Sequence, residues 1–258
     1  MKPPTETCYK CNAPATSREH VPPISLFPEQ KDFRGVDFRK NLITVPSCDL
    51  HNSKKSKDDE FLMASLAGVV GNNAIGFIQT HTKVKRAFER TGEKLLADVL
   101  KSSSPLTLHN KKGDTFPVLI GNPDIDRLKK CFEHIACGLY FLEYGQTFNG
   151  DCSILIGFIT YTETNMEKLK TLCQKLFAIQ AVSSPVKGAN PEIFNYQFGP
   201  TDKDGLIPLK LTFYQGADVY ITFKAEHLPM PFNIGLALLD AGKRTVIDLG
   251  NGEKMEFN

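Results

Sequence analysis

Cys8-Tyr9-Lys10-Cys11 and, further on, residues 48–58, Cys-Asp-Leu-His-Asn-Ser-Lys-Lys-Ser-Lys-Asp, decide how this chain begins to fold. Cys8 and Cys11 form one C-x₂-C loop, and Cys48 with His51 supplies a second pair at the same spacing. Together they make a three-sulfur, one-nitrogen set of the kind tetrahedral structural zinc prefers. A disulfide reading cannot use the pair that ends in His. The alternative is two unrelated surface pairs, and it requires a segment 1–60 that stays folded in a chelator, because a closed zinc site loses folding energy with its metal.

Around these pairs the chain reads as two strands and a helix. Pro22 and Pro23 end an extended run after His20, and Leu42-Ile43-Thr44-Val45 has the branched composition of a short strand stopped by Pro46. Ser47 or Asp49 can cap a helix to about residue 60, with Cys48 and His51 on one side of its first turn and Asn52 turned toward the strands. Some fifty residues cannot build a large hydrophobic core, and a bound zinc would replace it.

Between and beyond the ligand pairs stand Arg18-Glu19-His20-Val21-Pro22-Pro23, then Asn41-Leu42, then Asn52-Ser-Lys54-Lys55-Ser-Lys-Asp58. In this order they resemble the HNH endonucleases of the ββα-metal type, in the zinc-knuckle subgroup. The resemblance covers residues 5 to about 60. His51 stands where Cys is usual and Glu19 where Asp is commoner; zinc tolerates the first change, and the second lengthens a ligand by one methylene.

Phosphodiester hydrolysis needs an activated water, neutralised charge at phosphorus and help for the departing oxygen. Glu19 and Asn52 offer oxygen ligands for a catalytic Mg²⁺ or Mn²⁺. His20 can then take a proton from water, since imidazole titrates near neutrality. The resemblance implies that Asn41 fixes that imidazole by a hydrogen bond, and that Lys55, Lys54 and Arg18 meet DNA. In isolation each piece has a plainer reading: Glu-His pairs arise by chance, and Lys54, Lys55 and Lys57 are a solvated face followed at once by Asp58, Asp59 and Glu60.

The whole chain has 258 residues, 41% of them hydrophobic, and a net charge of +2. That is room for a small zinc unit and one ordinary domain, and too little charge to announce a nucleic-acid binder. Residues 2–57 nevertheless hold ten Lys or Arg against six acids, a surplus of four. Lys83, Lys85, Arg86 and Arg90 follow on a predicted helix, as phosphate contacts or as the exposed face of an amphipathic helix. The absence of a signal-like segment or a membrane-length apolar run makes a cytoplasmic protein the expectation. Cys131, Cys137, Cys152 and Cys173 read as buried thiols, and the i, i+3 pair Cys131 and His134 as core packing.

The expected organisation is α+β: the zinc-stabilised HNH unit over 1–60, a helical connector over 61–104, and an α+β domain with a largely antiparallel sheet over 105–258 that serves regulation, dimerisation or target recognition. Ala74 to Leu100 reads as one long helix with a Ser102–Pro105 stop. Leu106–Leu108 and Phe116–Ile120 read as a hairpin about Asn110–Gly113. Asp124 caps a helix over Ile125–Tyr144 with Leu128, Cys131, Phe132, Ile135, Leu139 and Leu142 as its apolar stripe. Strands are expected at Ser153–Tyr161, Phe194–Phe198, Leu209–Tyr214, Val219–Phe223 and Thr245–Leu249, and a helix at Thr164–Ile179, with a Gly250–Gly252 turn near the end.

The leading expectation is a metal-dependent DNA endonuclease, of the kind found in bacterial restriction or anti-phage defence, acting as a homodimer or under a regulatory protein partner from the same system. The setting rests on analogy. Two alternatives stand beside it: a zinc-dependent nucleic-acid-binding module without catalysis, and a protein-interaction subunit in which the zinc unit is scaffold.

Overall fold

A computed structural model describes residues 6–52, 56–109, 111–229, 237–238, 241–250 and 252–258. Strands β1 (Ser17–His20) and β2 (Thr44–Ser47) pair antiparallel, with Glu19 opposite Val45 and His20 opposite Thr44. Two 3₁₀ turns, Ile24–Leu26 and Gln30–Asp32, lie in the connection. Helix α1 (Asp49–Asn52) follows β2, and α2 spans Ser56–Ala67.

The long helix expected over Ala74–Leu100 is instead three short ones. Helix α3 (Ala74–Gln79) runs through a π turn (Thr80–Val84) into α4 (Lys85–Thr91), and Gly92 separates α4 from α5 (Glu93–Val99). Thr80 Oγ1 donates to the Gly76 carbonyl at 3.1 Å and Thr82 Oγ1 to the Ile78 carbonyl at 2.7 Å. Such threonine back-bonding competes with the helical ladder. Gly92 then adopts φ +63°, which ends the helix at little steric cost only because it lacks a Cβ.

Strands β3 (Ser102–His109) and β4 (Thr115–Asn122) form a two-stranded ribbon. The serine run expected to stop the chain lies inside β3. Pro105 is tolerated because a two-stranded ribbon leaves each strand one unpaired side. Helix α6 (Ile125–Tyr144) has the expected bounds: Asp124 Oδ1 accepts from the Arg127 amide at 3.1 Å, and Gly145 closes it at φ +69°.

The main sheet is antiparallel throughout, in the order β5-β9-β8-β7-β6, built from β5 (Gly150–Ile156), β6 (Lys187–Asn190), β7 (Phe194–Phe198), β8 (Ile207–Phe213) and β9 (Ala217–Ala225). β5 stops earlier than its apolar run, because Gly157 turns against β9 and a Cβ there would meet the Asp218 carbonyl oxygen at 2.8 Å. Alternation sets the faces. Leu209, Leu211 and Phe213 of β8, with Val219, Ile221 and Phe223 of β9, are buried. Helix α6 covers them, with ring centroids 5.9 Å apart for Phe132 and Phe213 and 5.2 Å for Tyr140 and Phe223.

Helix α7 (Thr164–Gln180) lies on the other face, where Phe177 meets Tyr220. A last antiparallel hairpin, β10 (Thr245–Asp248) with β11 (Lys254–Phe257), packs Phe257 and Leu249 against Leu172 of α7. Asn110 and Asn251, expected in turns, lie outside the described residues.

The molecule is thus mixed α+β with a largely antiparallel sheet, and one buried cluster runs from Cys8 and Tyr9 through Leu62 and Phe132 to Phe223. No helix among the described residues is long and apolar enough to cross a membrane.

Candidate metal centre and the adjoining cleft

The knuckle is a tight loop: the Cys8 amide donates to the Ala13 carbonyl at 2.9 Å, and the Tyr9 amide donates to the Pro46 carbonyl of β2 at 2.8 Å. On the far side, the amides of His51 and Asn52 both donate to the Cys48 carbonyl, at 3.0 and 3.1 Å. This first helical turn brings Cys48 and His51 to the same side. The three sulfurs and the His51 nitrogen lie within 4.8 Å of one another, a group that could hold a metal ion.

The edges are informative. Cys11 Sγ and Cys48 Sγ are 3.8 Å apart, and His51 Nδ1 is 3.4, 3.5 and 3.3 Å from the sulfurs of Cys8, Cys11 and Cys48. A zinc ion with ordinary Zn–S and Zn–N bond lengths requires about 3.8 Å for a sulfur–sulfur edge and about 3.6 Å for a sulfur–nitrogen edge. Burial raises the Cys8 thiol pKa, but amide groups of Lys10, Cys48 and Cys11 more than offset this and hold it below its usual value. That favours the thiolate, the form that binds metal.

Beside this centre, Glu19 and His20 line a cleft of about 160 Å³. Its other walls carry Asp58 and Asp59 of α2 and Glu133 and His134 of α6, with Lys10 and Lys130 also present. A larger cleft of about 420 Å³ between α7 and the sheet is walled mainly by apolar side chains such as Leu155, Met166 and Leu176. The smaller cleft therefore holds the greater share of acid–base chemistry.

Glu19 and Asn52 meet one face of the hairpin. Ser47 Oγ donates to Glu19 Oε2 at 3.4 Å, Ser17 Oγ donates to the Ser47 carbonyl at 3.3 Å, and Asn52 Nδ2 donates to Ser17 Oγ at 2.7 Å. One Asn52 amide hydrogen thus goes to Ser17, and its Oδ1 is the kind of oxygen ligand a hard cation would need. Tyr9 also hydrogen-bonds Glu19, and its hydroxyl lies 3.2 Å from His134 Nδ1. Burial and the Glu19 carboxylate push the Tyr9 phenol far above its usual range, so it stays a neutral donor.

The remaining predicted residues are placed differently. Asn41 sits at φ +55° beside a narrow crevice with Pro22, Phe27 and Asn190, and no side chain among the described residues hydrogen-bonds the His20 imidazole. Arg18 lies along the hairpin, donating to Thr44 Oγ1 and pairing with Glu6 at 3.1 Å. Lys54 and Lys55 lie outside the described residues.

The helical basic cluster is largely engaged within the protein. Lys83 donates to the Ser25 carbonyl at 2.6 Å and is brought down to about 8, mainly by burial; Arg86 forks onto Asp32 and Glu29, and Arg90 pairs with Glu60.

Sequence reading missed the contribution of α6. Cys131 is buried as expected, but its neighbour His134 faces the cleft. Of the other cysteines expected in the core, Cys137 is buried, whereas Cys152 and Cys173 are only partly so. The available signal is that Lys130, Glu133 and His134 lie at i, i+3 and i+4 on the helix, beside its apolar stripe.

Comparison with protein-family models, curated proteins and solved structures gives no match.

Proposed function

We propose that the chain is a metal-dependent endonuclease of the HNH type, with zinc in the Cys8, Cys11, Cys48 and His51 cluster and a second, hard divalent ion at the cleft. The observation that carries the reading is the joining of Glu19 and Asn52 to one hairpin face, beside a tetrahedral S₃N cluster and next to His20. The Glu19 carboxylate and Asn52 Oδ1 would hold the second ion, Mg²⁺ or Mn²⁺. When bound, that ion would neutralise charge on the scissile phosphate and on the departing oxygen.

The protein's own groups account for the rest. His20, whose imidazole no side chain among the described residues hydrogen-bonds, accepts a proton from the attacking water. Tyr9 and Ser47 orient Glu19, and Ser17 orients Asn52, as outer partners of metal ligands commonly do. Lys10, paired with Glu133, and Lys130 are the cations among the Glu19, Asp58, Asp59 and Glu133 carboxylates that line the cleft, so the second ion would supply the positive charge that receives a phosphate. DNA is the proposed substrate. A regulatory partner or second copy, and a role in bacterial defence, belong to the same proposal by analogy alone.

A second reading, a zinc-dependent nucleic-acid-binding or interaction module without catalysis, draws on one observation: Asn41 does not hold the His20 ring. Titrating the zinc-loaded protein with Mn²⁺, followed by electron paramagnetic resonance with duplex DNA present, separates the two. One site, lost in Glu19→Gln and Asn52→Ala with zinc retained, is expected for the nuclease. DNA binding at low salt with no Mn²⁺ site would favour the module.

A further inference from the structure

The two edges of the five-stranded sheet are finished differently. At one, β6 is four residues long, and its pairing with β7 shifts between Lys187 and Asn190, with Gly188 at φ +143°. A short, bulged edge resists further pairing. At the other, β5 runs seven residues in unbroken register with β9 and contains no proline.

Register fixes which way the β5 backbone points. The Gly157 amide donates to the Asp218 carbonyl at 2.8 Å and the Glu226 amide to the Asn149 carbonyl at 3.1 Å, so a hydrogen-bonded pair lies just beyond each end of the strand. Counting inward by twos, Asp151, Ser153 and Leu155 bond to β9, and the amides and carbonyls of Cys152, Ile154 and Ile156 point away from it. The Ile156 amide donates to Tyr161 Oη at 3.2 Å. Among the described residues, nothing hydrogen-bonds the outward amides and carbonyls of Cys152 and Ile154. Both residues, with exposed Ser153 between them, line an open groove of about 630 Å³. The opposite wall is α6, through Asp126, Lys129, Lys130 and Glu133. Glu133 is paired with Lys10, and among the described residues Lys129 and Lys130 have no ion-pair partner, which leaves that wall with two cations against Asp126.

We propose that this edge binds an extended, acidic segment of a partner protein as a sixth strand of the sheet. Four backbone hydrogen bonds, two each at Cys152 and Ile154, tie the segment to β5, and its carboxylates meet Lys129 and Lys130. A second copy of this chain fits less well: two β5 edges pairing about a two-fold axis bring the same lysines of both copies together, like charge toward like. Duplex DNA has no extended row of amides and carbonyls to answer this edge. Lys130 and Glu133 line both the groove and the cleft that holds Glu19 and His20, so the added strand lies beside that cleft. Control of the cleft by this strand rests on the proposed function; the pairing itself does not.

The test uses full-length, zinc-loaded, isotope-labelled protein and an acetylated, amidated peptide as long as β5 that alternates glutamate with valine, with amide exchange followed by NMR. Without peptide, the amides of Cys152 and Ile154 should exchange at least about tenfold faster than those of Ser153 and Leu155; saturating peptide should slow the first two about tenfold or more and leave the others unchanged. Ile154→Pro removes an amide that does not bond β9, so it should abolish protection of Cys152 by the peptide and keep the sheet. Lys129→Glu should weaken binding about threefold or more. Protection of Cys152 and Ile154 equal to that of Ser153 before peptide is added would overturn the proposal, since the edge would already be covered. Protection that appears only as protein concentration rises would overturn it in favour of a second copy. So would a failure of the peptide to protect these amides, or equal binding by the same peptide N-methylated throughout. The readout needs no nuclease activity, so it stands or falls apart from the proposed function.

Discussion

At the scale of single residues, Cys48 shows what the sequence could and could not reveal. Its place in a cluster that could hold a metal ion was legible because two C-x₂-(C/H) pairs fix short-range geometry, and the sulfur and nitrogen positions agree with that spacing. Cys48→Ser should abolish stoichiometric zinc and lower the unfolding midpoint, because binding energy on the order of 10 kcal/mol is coupled to folding in such sites. Metal analysis and thermal denaturation check it. A zinc-loaded variant of normal stability would mean the ligands are misassigned. The Tyr9–His134 contact was not legible, since it spans 125 positions and depends on how α6 docks. Asn41 is the contrasting case: its position in the chain order carries the resemblance, yet it lines a different crevice from the one lined by Glu19 and His20.

At the scale of elements, α6 was readable to its ends because Asp124, the apolar stripe and Gly145 agree. The break after Gln79 was not, because the apolar pattern runs on and the disruption comes from threonine hydroxyls finding carbonyls. Docking of α6 on the hairpin rests on Gly138, where a Cβ would meet Val21 Cγ2 at 2.7 Å. Gly138→Ala should gain about 1 kcal/mol of helix propensity and lose more to the clash, for a net loss of about 1–2 kcal/mol. Urea denaturation measures this, and a stabilised variant would contradict the packing. The turn at residues 30–32 is tied to α4 by Arg86 on Asp32, whose side chain is 8% exposed. The Arg86 hydrogen bond holds the Asp32 carboxyl below its usual range despite burial. Its contribution is therefore present above the unfolded aspartate value of about 4 and is lost as pH falls through the lower folded value. Arg86→Gln should flatten that part of the acid-stability curve; an unchanged slope would remove the pair from the account.

For the whole molecule, the continuous core couples the knuckle to the sheet. Tyr9 and Val21 belong to the same buried cluster as Phe132 and Phe213. Removing the metal should consequently lower hydrogen-exchange protection in α6 as well as in residues 6–52. Loss confined to the N-terminal residues would show that the knuckle folds as a separate unit. The α+β character and most strands were legible from period-two and helical patterns. β6 was not, having no alternating apolar residues, and neither was β11, whose alternation of Met255 and Phe257 with charged residues is only four residues long. The proposed role of His20 as the base of a nuclease is tested most directly by conversion of supercoiled plasmid to nicked circles with Mg²⁺ or Mn²⁺, comparing the protein with His20→Ala. Nicking is expected to fall about 10²- to 10⁴-fold in the variant while zinc content and unfolding midpoint stay unchanged. Equal nicking by both proteins would contradict it.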